Sequence, residues 1–381
     1  MRAERPRHWG CLSRRAWRAV AASAAIGSVP LALHAQAPVL LQGVADAELW
    51  STDATSNLLT RNDGRLAALG RLQLWGAWEP LSGLTFYAEG LAEGGPARSA
   101  VDRYRVDANQ FGVRYAASPR FVIDAGRLTP VIGTFAARRF STRNPLIGLP
   151  DGYSLDYPLG VEVSGETLHL DYRAAMVSLP TTHAGYVPPP TARLRPAVGA
   201  GVTPVVGLRI GGSVTAGPYL NRNYAVGTTD GESWTEYDQR VIAADASFAR
   251  GYLELRAEAA RGTYDVPGVA GTVSGFTYYG EAKYTLTPRL FIAARGERNK
   301  YPFIRASGSA AVYTARLTDF VDAEAGVGYR FSQSTLLKAT VRADRWWVAN
   351  GAIGFRGQGG HALAAQLSQA FDVLDWLRPV R

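Results

Sequence analysis

Val321-Asp-Ala-Glu-Ala-Gly-Val-Gly-Tyr-Arg-Phe331 is the stretch on which the fold turns. Val321, Ala323, Ala325, Val327, Tyr329 and Phe331 alternate without a break with Asp322, Glu324, Gly326, Gly328 and Arg330. A period of two puts the two sets on opposite faces of an extended strand; a helix would instead repeat its apolar residues three and four apart. Upstream, Leu253, Leu255, Ala257 and Ala259 share one face while Glu254, Arg256 and Glu258 share the other. An antiparallel sheet with one wet face gives the same alternation in a soluble protein. A wall with lipid on one side and water on the other demands it of every strand, and the pattern recurs along the chain.

Working outward, about sixteen segments read as strands: 39–50, 65–79, 84–93, 105–117, 120–131, 157–164, 167–179, 194–202, 206–218, 238–249, 251–262, 273–285, 289–299, 317–331, 335–347 and 360–371. Short and long connectors alternate between them. Tight turns are expected at Pro80–Gly83, Ser118-Pro119, Ser164–Glu166, Thr203-Pro204, Ala249–Gly251, Leu286–Pro288 and Ser332–Ser334, where Gly, Pro and Ser supply turn geometry. Long loops are expected near 51–64, 94–104, 132–156, 180–193, 219–237, 263–272, 300–316 and 348–359. Short turns on one rim and long loops on the other are the plan of an outer-membrane barrel. The fold class is therefore all-β, a transmembrane antiparallel up-and-down barrel. Aromatic residues near strand ends, among them Trp75, Trp78, Tyr115, Tyr172, Tyr252, Phe276, Tyr278, Tyr284 and Trp346-Trp347, read as interfacial girdles.

Export fits the same plan. Arg2, Arg5, Arg7, Arg14, Arg15 and Arg18 precede an apolar run from Ala19 to Leu33, the order of a secretory signal, with cleavage expected after Ala35. Residues 1–35 form the signal and 36–381 the barrel. The run is shorter than the roughly 20 apolar residues of a membrane helix, and Gly27, Ser28 and Pro30 interrupt it. The only cysteine, Cys11, lies within it, so the exported chain has neither disulfide nor thiol nucleophile. The formal charge of +9 includes six arginines and Glu4 of the signal, which leaves 35 basic against 31 acidic residues, or +4. That balance is too mild for a nucleic-acid partner. A 47% hydrophobic composition with mean hydropathy near zero suits apolar residues dispersed singly along strands.

The longest connector, Ile132 to Asp156, falls between the fifth and sixth strands, and Asp124-Ala125-Gly126-Arg127 through Pro130 and Gly133 leads into it. In these features the chain resembles the Gram-negative outer-membrane porins, both the sixteen-stranded general type and the phosphate-selective type. The resemblance implies that this loop folds into the lumen as a constriction, that the protein is a homotrimer, and that a terminal aromatic serves the barrel-assembly machinery. Here Phe371 or Trp376 would fill that last role, ahead of a tail to Arg381. The expected constriction residues are Arg127, Arg138, Arg139, Arg143, Asp151 and Asp156, bases and acids that would act on solutes across a narrow opening. Alternatively, those loop arginines are solvated or bind lipopolysaccharide phosphates at the rim. Alternation assigns Gln73, Glu89, Arg114, Asp124, Asp171, Arg173, Glu254, Arg256, Glu258, Arg295, Asp322, Arg330, Arg342 and Asp344 to the lumen wall.

These readings point to a water-filled channel for small hydrophilic or anionic solutes, weakly anion-preferring, with outer-membrane lipid around it and no cofactor or metal. The competing classes are a barrel enzyme of lipase or protease type and a plugged structural or adhesive barrel. The exported chain has only His169, His183 and His361 to serve as a catalytic base, and no spacing assembles a triad around them. His169, between Leu168 and Leu170, is read as lumen-facing.

Overall fold

The computed structural model describes residues 39–54, 59–98, 103–150, 157–178, 193–219, 233, 235–267, 269–301, 304–305, 313–314, 318–348 and 359–377. The signal segment, Asp151, Asp156 and His183 lie outside them.

The barrel strands are β1 (Val39–Thr52), β2 (Ala67–Leu81), β3 (Leu84–Gly94), β4 (Tyr104–Ser118), β5 (Phe121–Arg127), β6 (Leu159–Glu166), β7 (Leu170–Val177) and β8 (Arg195–Val205). They continue with β9 (Leu208–Pro218), β10 (Asp238–Arg250), β11 (Leu253–Asp265), β12 (Thr272–Thr285) and β13 (Leu290–Tyr301). A two-residue ladder, β14 (Ile304–Arg305) with β15 (Tyr313–Thr314), stands in the following loop, and β16 (Thr318–Arg330), β17 (Thr335–Val348) and β18 (Gly359–Asp372) complete the wall. Each barrel strand pairs antiparallel with its chain neighbours, and β18 returns to β1 from Gln42–Asp372 to Thr52–Ala362, which closes sixteen strands into a ring. No edge is left, as hydrocarbon requires, because an unpaired amide has no water there to bond.

Side-chain parity follows the alternation. On β16, Val321, Ala323, Ala325, Val327 and Tyr329 are exposed on the outside, while Asp322 and Glu324 are buried within. The short connectors fall on one rim and the long ones on the other, and Val39 and Asp372 end on the short-turn rim. Beyond β18, α1 (Val373–Leu377) begins with Asp372 Oδ1 accepting from the Leu374 amide at 2.9 Å.

Several boundaries differ from the sequence reading. β5 ends at Arg127 rather than near 131, since Gly126 (φ 142°) and Pro130 take the chain out of the ladder. Ser164–Glu166 and Thr203-Pro204 belong to strands, and the turns lie at Thr167–His169 and Val206-Gly207, where Gly207 supplies a positive φ of 91°. His169 is thus an exposed turn residue with Nδ1 3.0 Å from the Thr203 carbonyl, not a lumen residue. Trp75 and Trp346 occupy inward positions, Trp75 opposite Glu89 and Trp346 bonded to Asp344 at 2.9 Å. Phe276, Tyr278 and Tyr284 do lie on the outer face, Tyr284 at the end of β12, Phe276 toward its start and Tyr278 at its middle.

At Gly126 a Cβ would run into the Phe111 carbonyl and the Gly112 backbone across the β4–β5 ladder. Gly126→Ala is expected to destabilise the barrel by about 1–3 kcal/mol through backbone overpacking. Gly280→Ala, with nothing within 4 Å of the added methyl, should change stability by no more than about 0.5 kcal/mol. Urea unfolding of the two variants in detergent, followed by tryptophan fluorescence, checks the difference.

Candidate functional site: the loop across the lumen

The chain leaves β5 at Arg127 and re-enters the wall at β6, and between them residues 128–150 pack inside the barrel. Leu128, Val131, Ile132, Phe135, Leu146 and Ile147 are all buried. Val131 packs with Ala175, Val177 and Ala197 of β7 and β8, and Ile132 with Val241, Ala243 and Ala260 of β10 and β11. Farther along, Ile147 joins Trp50, Ala67, Leu69, Ala362 and Ala364 on β1, β2 and β18. The segment thus bridges opposite walls.

Polar contacts hold it between them. Thr134 Oγ1 donates to Glu258 Oε1 at 2.5 Å, and Phe135 meets the Tyr279 ring edge-on with centroids 6.0 Å apart. Arg138 donates to Glu281 at 2.9 Å and to the Tyr279 hydroxyl at 3.2 Å. Arg139 pairs with Glu89 on β3, and its guanidinium lies 4.4 Å from the centroid of the Tyr157 ring. Ser141 donates to Asp46 of β1 at 2.6 Å. The loop's second half is bound through its backbone. Glu324 Oε1 accepts the amides of Ile147 (3.2 Å) and Gly148 (2.9 Å). Lys338 Nζ donates to the carbonyls of Ser141 (2.8 Å), Asn144 (3.1 Å) and Leu146 (2.9 Å). Lys338 is 1% exposed, so these three bonds take the place of its hydration.

The wall beneath carries a charge ladder. Register sets Arg342, Glu324, Arg295, Glu281 and Arg256 side by side on β17, β16, β13, β12 and β11, with the signs alternating. Arg295 bonds Glu324 at 2.8 Å and reaches Glu281 at 3.5 Å, while Arg342 bonds Asp322 at 2.7 Å and reaches Glu297 at 3.5 Å. Elsewhere on the wall Arg114 pairs with Asp124 (2.8 Å), Arg209 with Asp171 (2.7 Å) and also with Asp245, and Glu254 with Lys283 (2.7 Å) and Arg256 (3.3 Å). Pairs so placed cancel most of each other's field at a distance.

The structure therefore brings Arg138, Arg139 and Arg143 into the barrel, where Arg143 is the most exposed side chain in the described part of the loop. Glu258 and Arg173 also reach the loop, Arg173 through the Gly133 carbonyl at 3.3 Å. Gln73, Asp344 and Arg330 take inward positions on β2, β17 and β16. Arg127 is placed differently. Its register partner Phe111 faces outward, and its guanidinium binds Asp107, the Ala108 carbonyl and, at 3.1 Å, the Tyr157 carbonyl. It braces the two ends of the loop instead of lining an opening. Lys338, Glu324, Glu281 and Asp46 hold the loop and had not been singled out. Parity alone puts each of them inward, but their partners are set by a segment between 95 and 197 residues away. No group of three or more His, Cys, Asp or Glu suited to a metal occurs among the described residues.

A closed ring of sixteen antiparallel strands, apolar outside and charged inside, with a loop after the fifth strand packed into the lumen, is a specific architecture. The fold is that of the outer-membrane porins. No family model and no curated protein matches the chain. Among solved structures, the outer membrane channel DcaP of Acinetobacter baumannii superposes with TM-score 0.60 at 11% identity over 88% of this chain and 97% of that one. The anion-selective porin from Comamonas acidovorans matches with TM-score 0.56 at 11% identity, over 88% of this chain and all of that one. OmpF of Salmonella typhi, in complex with daunomycin, matches with TM-score 0.56 at 15% identity, covering 88% and 98%. The exposed apolar belt of this porin-type barrel suits the lipid of an outer membrane.

Lys338→Met leaves three loop carbonyls without their donor, at a cost of about 2 kcal/mol or more. The expected outcome is a barrel that still migrates as folded on an unheated gel but whose 132–150 segment becomes sensitive to limited proteolysis. Equal protease resistance in wild type and variant would remove Lys338 from its role as the loop's anchor.

Proposed function

We propose that the protein is a passive channel for small hydrophilic solutes, narrowed by the 132–156 loop and weakly anion-preferring. The observation that carries this is the packing of a charged, wall-bound loop inside a closed barrel with a polar interior. Such a lumen passes solutes by diffusion, at rates governed by its radius and fixed charge, with no covalent step.

The wall's charges are largely paired, so the long-range field is small and the preference weak. Arg138, Arg139 and Arg143 add positive charge where the loop crosses the lumen, which supports the anion sign. Their removal also leaves Glu281 and Glu89 without these partners, and both effects favour cations. A homotrimer belongs to the same reading. It is supported by OmpT of Vibrio cholerae, a structural match at TM-score 0.53 and 9% identity described in a trimer form, and by the uncharged outward faces of β1, β2 and β3. Lumen-wall roles for Arg114, Asp124, Arg173, Glu254, Arg256, Glu258, Arg295, Asp322, Arg330, Arg342 and Asp344 are part of this proposal.

The test is single-channel recording of the mature protein in a planar bilayer under a salt gradient. Stable ohmic steps with a small anion bias are expected. Replacing Arg138, Arg139 and Arg143 together by Ala should move the reversal potential toward cations. A folded but silent barrel would overturn the channel reading, and an unmoved reversal potential would overturn the constriction role of the three arginines.

A further inference from the structure

The loop does not occupy the lumen evenly. Its second half lies against β16–β18 and β1, where Glu324, Lys338, Gln366 and Glu48 are at most 3% exposed. On β7–β12, by contrast, the side chains of Asp171, Arg209, Glu254 and Lys283 keep 31, 23, 34 and 26% of their surface. The space left for solutes therefore runs along β7–β12.

One register row of that wall reads Asp171 on β7, Gly201 on β8, Gly211 on β9 and Asp245 on β10. All four are inward positions, and the two aspartates stand three strand spacings apart, about 14 Å. Only glycine lies between them. Arg209, two residues before Gly211 on the same face of β9, fills the gap. Its Nε and Nη2 each donate to one oxygen of Asp171 at 2.7 Å, and Nη1 donates to Asp245. A Cβ on Gly201 would run into Nε, Cζ and Nη2 of the guanidinium, and one on Gly211 would meet Nη1 and Nη2. Because three atoms of the fork crowd one Cβ position together, the group rests on the glycines with a face and not with an edge.

The guanidinium is thus fixed on every side but one. Carboxylates hold its edges, backbone supports one face, and the remaining exposure of the side chain belongs to the face turned toward the passage. The next row toward the long-loop rim consists of Arg173, Gly199, Ser213 and Ala243. Its small members leave room above the fork as far as Val131 of the loop, whose Cγ1 lies 3.5 Å from the place of a Cβ on Gly199. With two aspartates against one arginine, the group has little to offer an anion. What it presents is a flat, delocalised and weakly hydrated plane, which stacks on aromatic faces.

We propose that Arg209 is a stacking platform for solutes that carry an aromatic ring, which rest on its lumen face as they pass. The proposal rests on the channel reading, since solutes have to reach this wall, and it adds a preference that pore radius and net charge do not supply. Lysine could not replace Arg209, because a tetrahedral ammonium has no plane to offer.

The test is saturation-transfer NMR on the refolded mature protein in detergent, titrated with L-phenylalanine or with L-cyclohexylalanine, which carries the same charges on a saturated ring. Wild type should bind the aromatic ligand about three- to fivefold more tightly. R209K, which keeps the charge and loses the plane, should abolish the difference, as should G211A, which pushes the fork off the wall. R289Q, an exposed position at the short-turn rim, should leave it unchanged. Equal binding of the two ligands by wild type would overturn the proposal, and so would a preference that survives both R209K and G211A. Where those variants fail to fold, D245N keeps the side-chain volume while loosening one edge of the fork; it should reduce the preference, and no reduction would remove the platform. Binding is read without current. A silent barrel that keeps the preference therefore counts against the channel alone, and a conducting barrel without it counts against the platform alone.

Discussion

Everything in this structure rests on a solvent that offers no hydrogen bonds. In hydrocarbon each backbone amide has to be bonded within the protein, and the only sheet that achieves this is one without edges. The pairing of β18 with β1 is therefore the condition for the other strands to exist in place. Closure also separates two solvents, and this separation dictates the alternation along each strand, apolar toward lipid and polar toward water.

The interior has its own constraint. A ring of sixteen strands is too wide for side chains to fill, yet its inward positions are crowded with ionised groups. These are accommodated by register, which puts Arg342, Glu324, Arg295, Glu281 and Arg256 in one alternating row. The loop after β5 completes the arrangement. It brings backbone amides to the Glu324 oxygen that Arg295 leaves open and backbone carbonyls to Lys338, so wall charges that side chains only partly satisfy are completed by main chain. The segment that narrows the lumen is thus held by the same electrostatics that would otherwise leave the lumen wall under-satisfied.

The outer surface follows the same rule. Small residues on β11–β17 leave a hollow where bulkier side chains elsewhere meet lipid directly, and cations stand above it. A charge at headgroup depth is tolerated because it meets lipid phosphates and water, not chains. The same side chain one row lower would be destabilising.

The strands, their approximate number and the alternation of short and long connectors were legible in the sequence because a period of two needs no knowledge of partners. The inward or outward side of Glu254, Arg256, Asp322 and Arg342 followed from parity in the same way. Some boundaries escaped: Ser164–Glu166 and Thr203-Pro204 look like turns by composition, but pairing with β5, β7 and β9 keeps them extended or moves the turn on. His169 was misread because a turn residue between two leucines imitates a strand. Only the tertiary structure decided which charges meet. Lys338 and Asn144 are 194 residues apart, and Arg138 and Glu281 are 143 apart, and no local pattern encodes such contacts. They depend on the ring's closure and on the path of one loop across it, both properties of the whole chain.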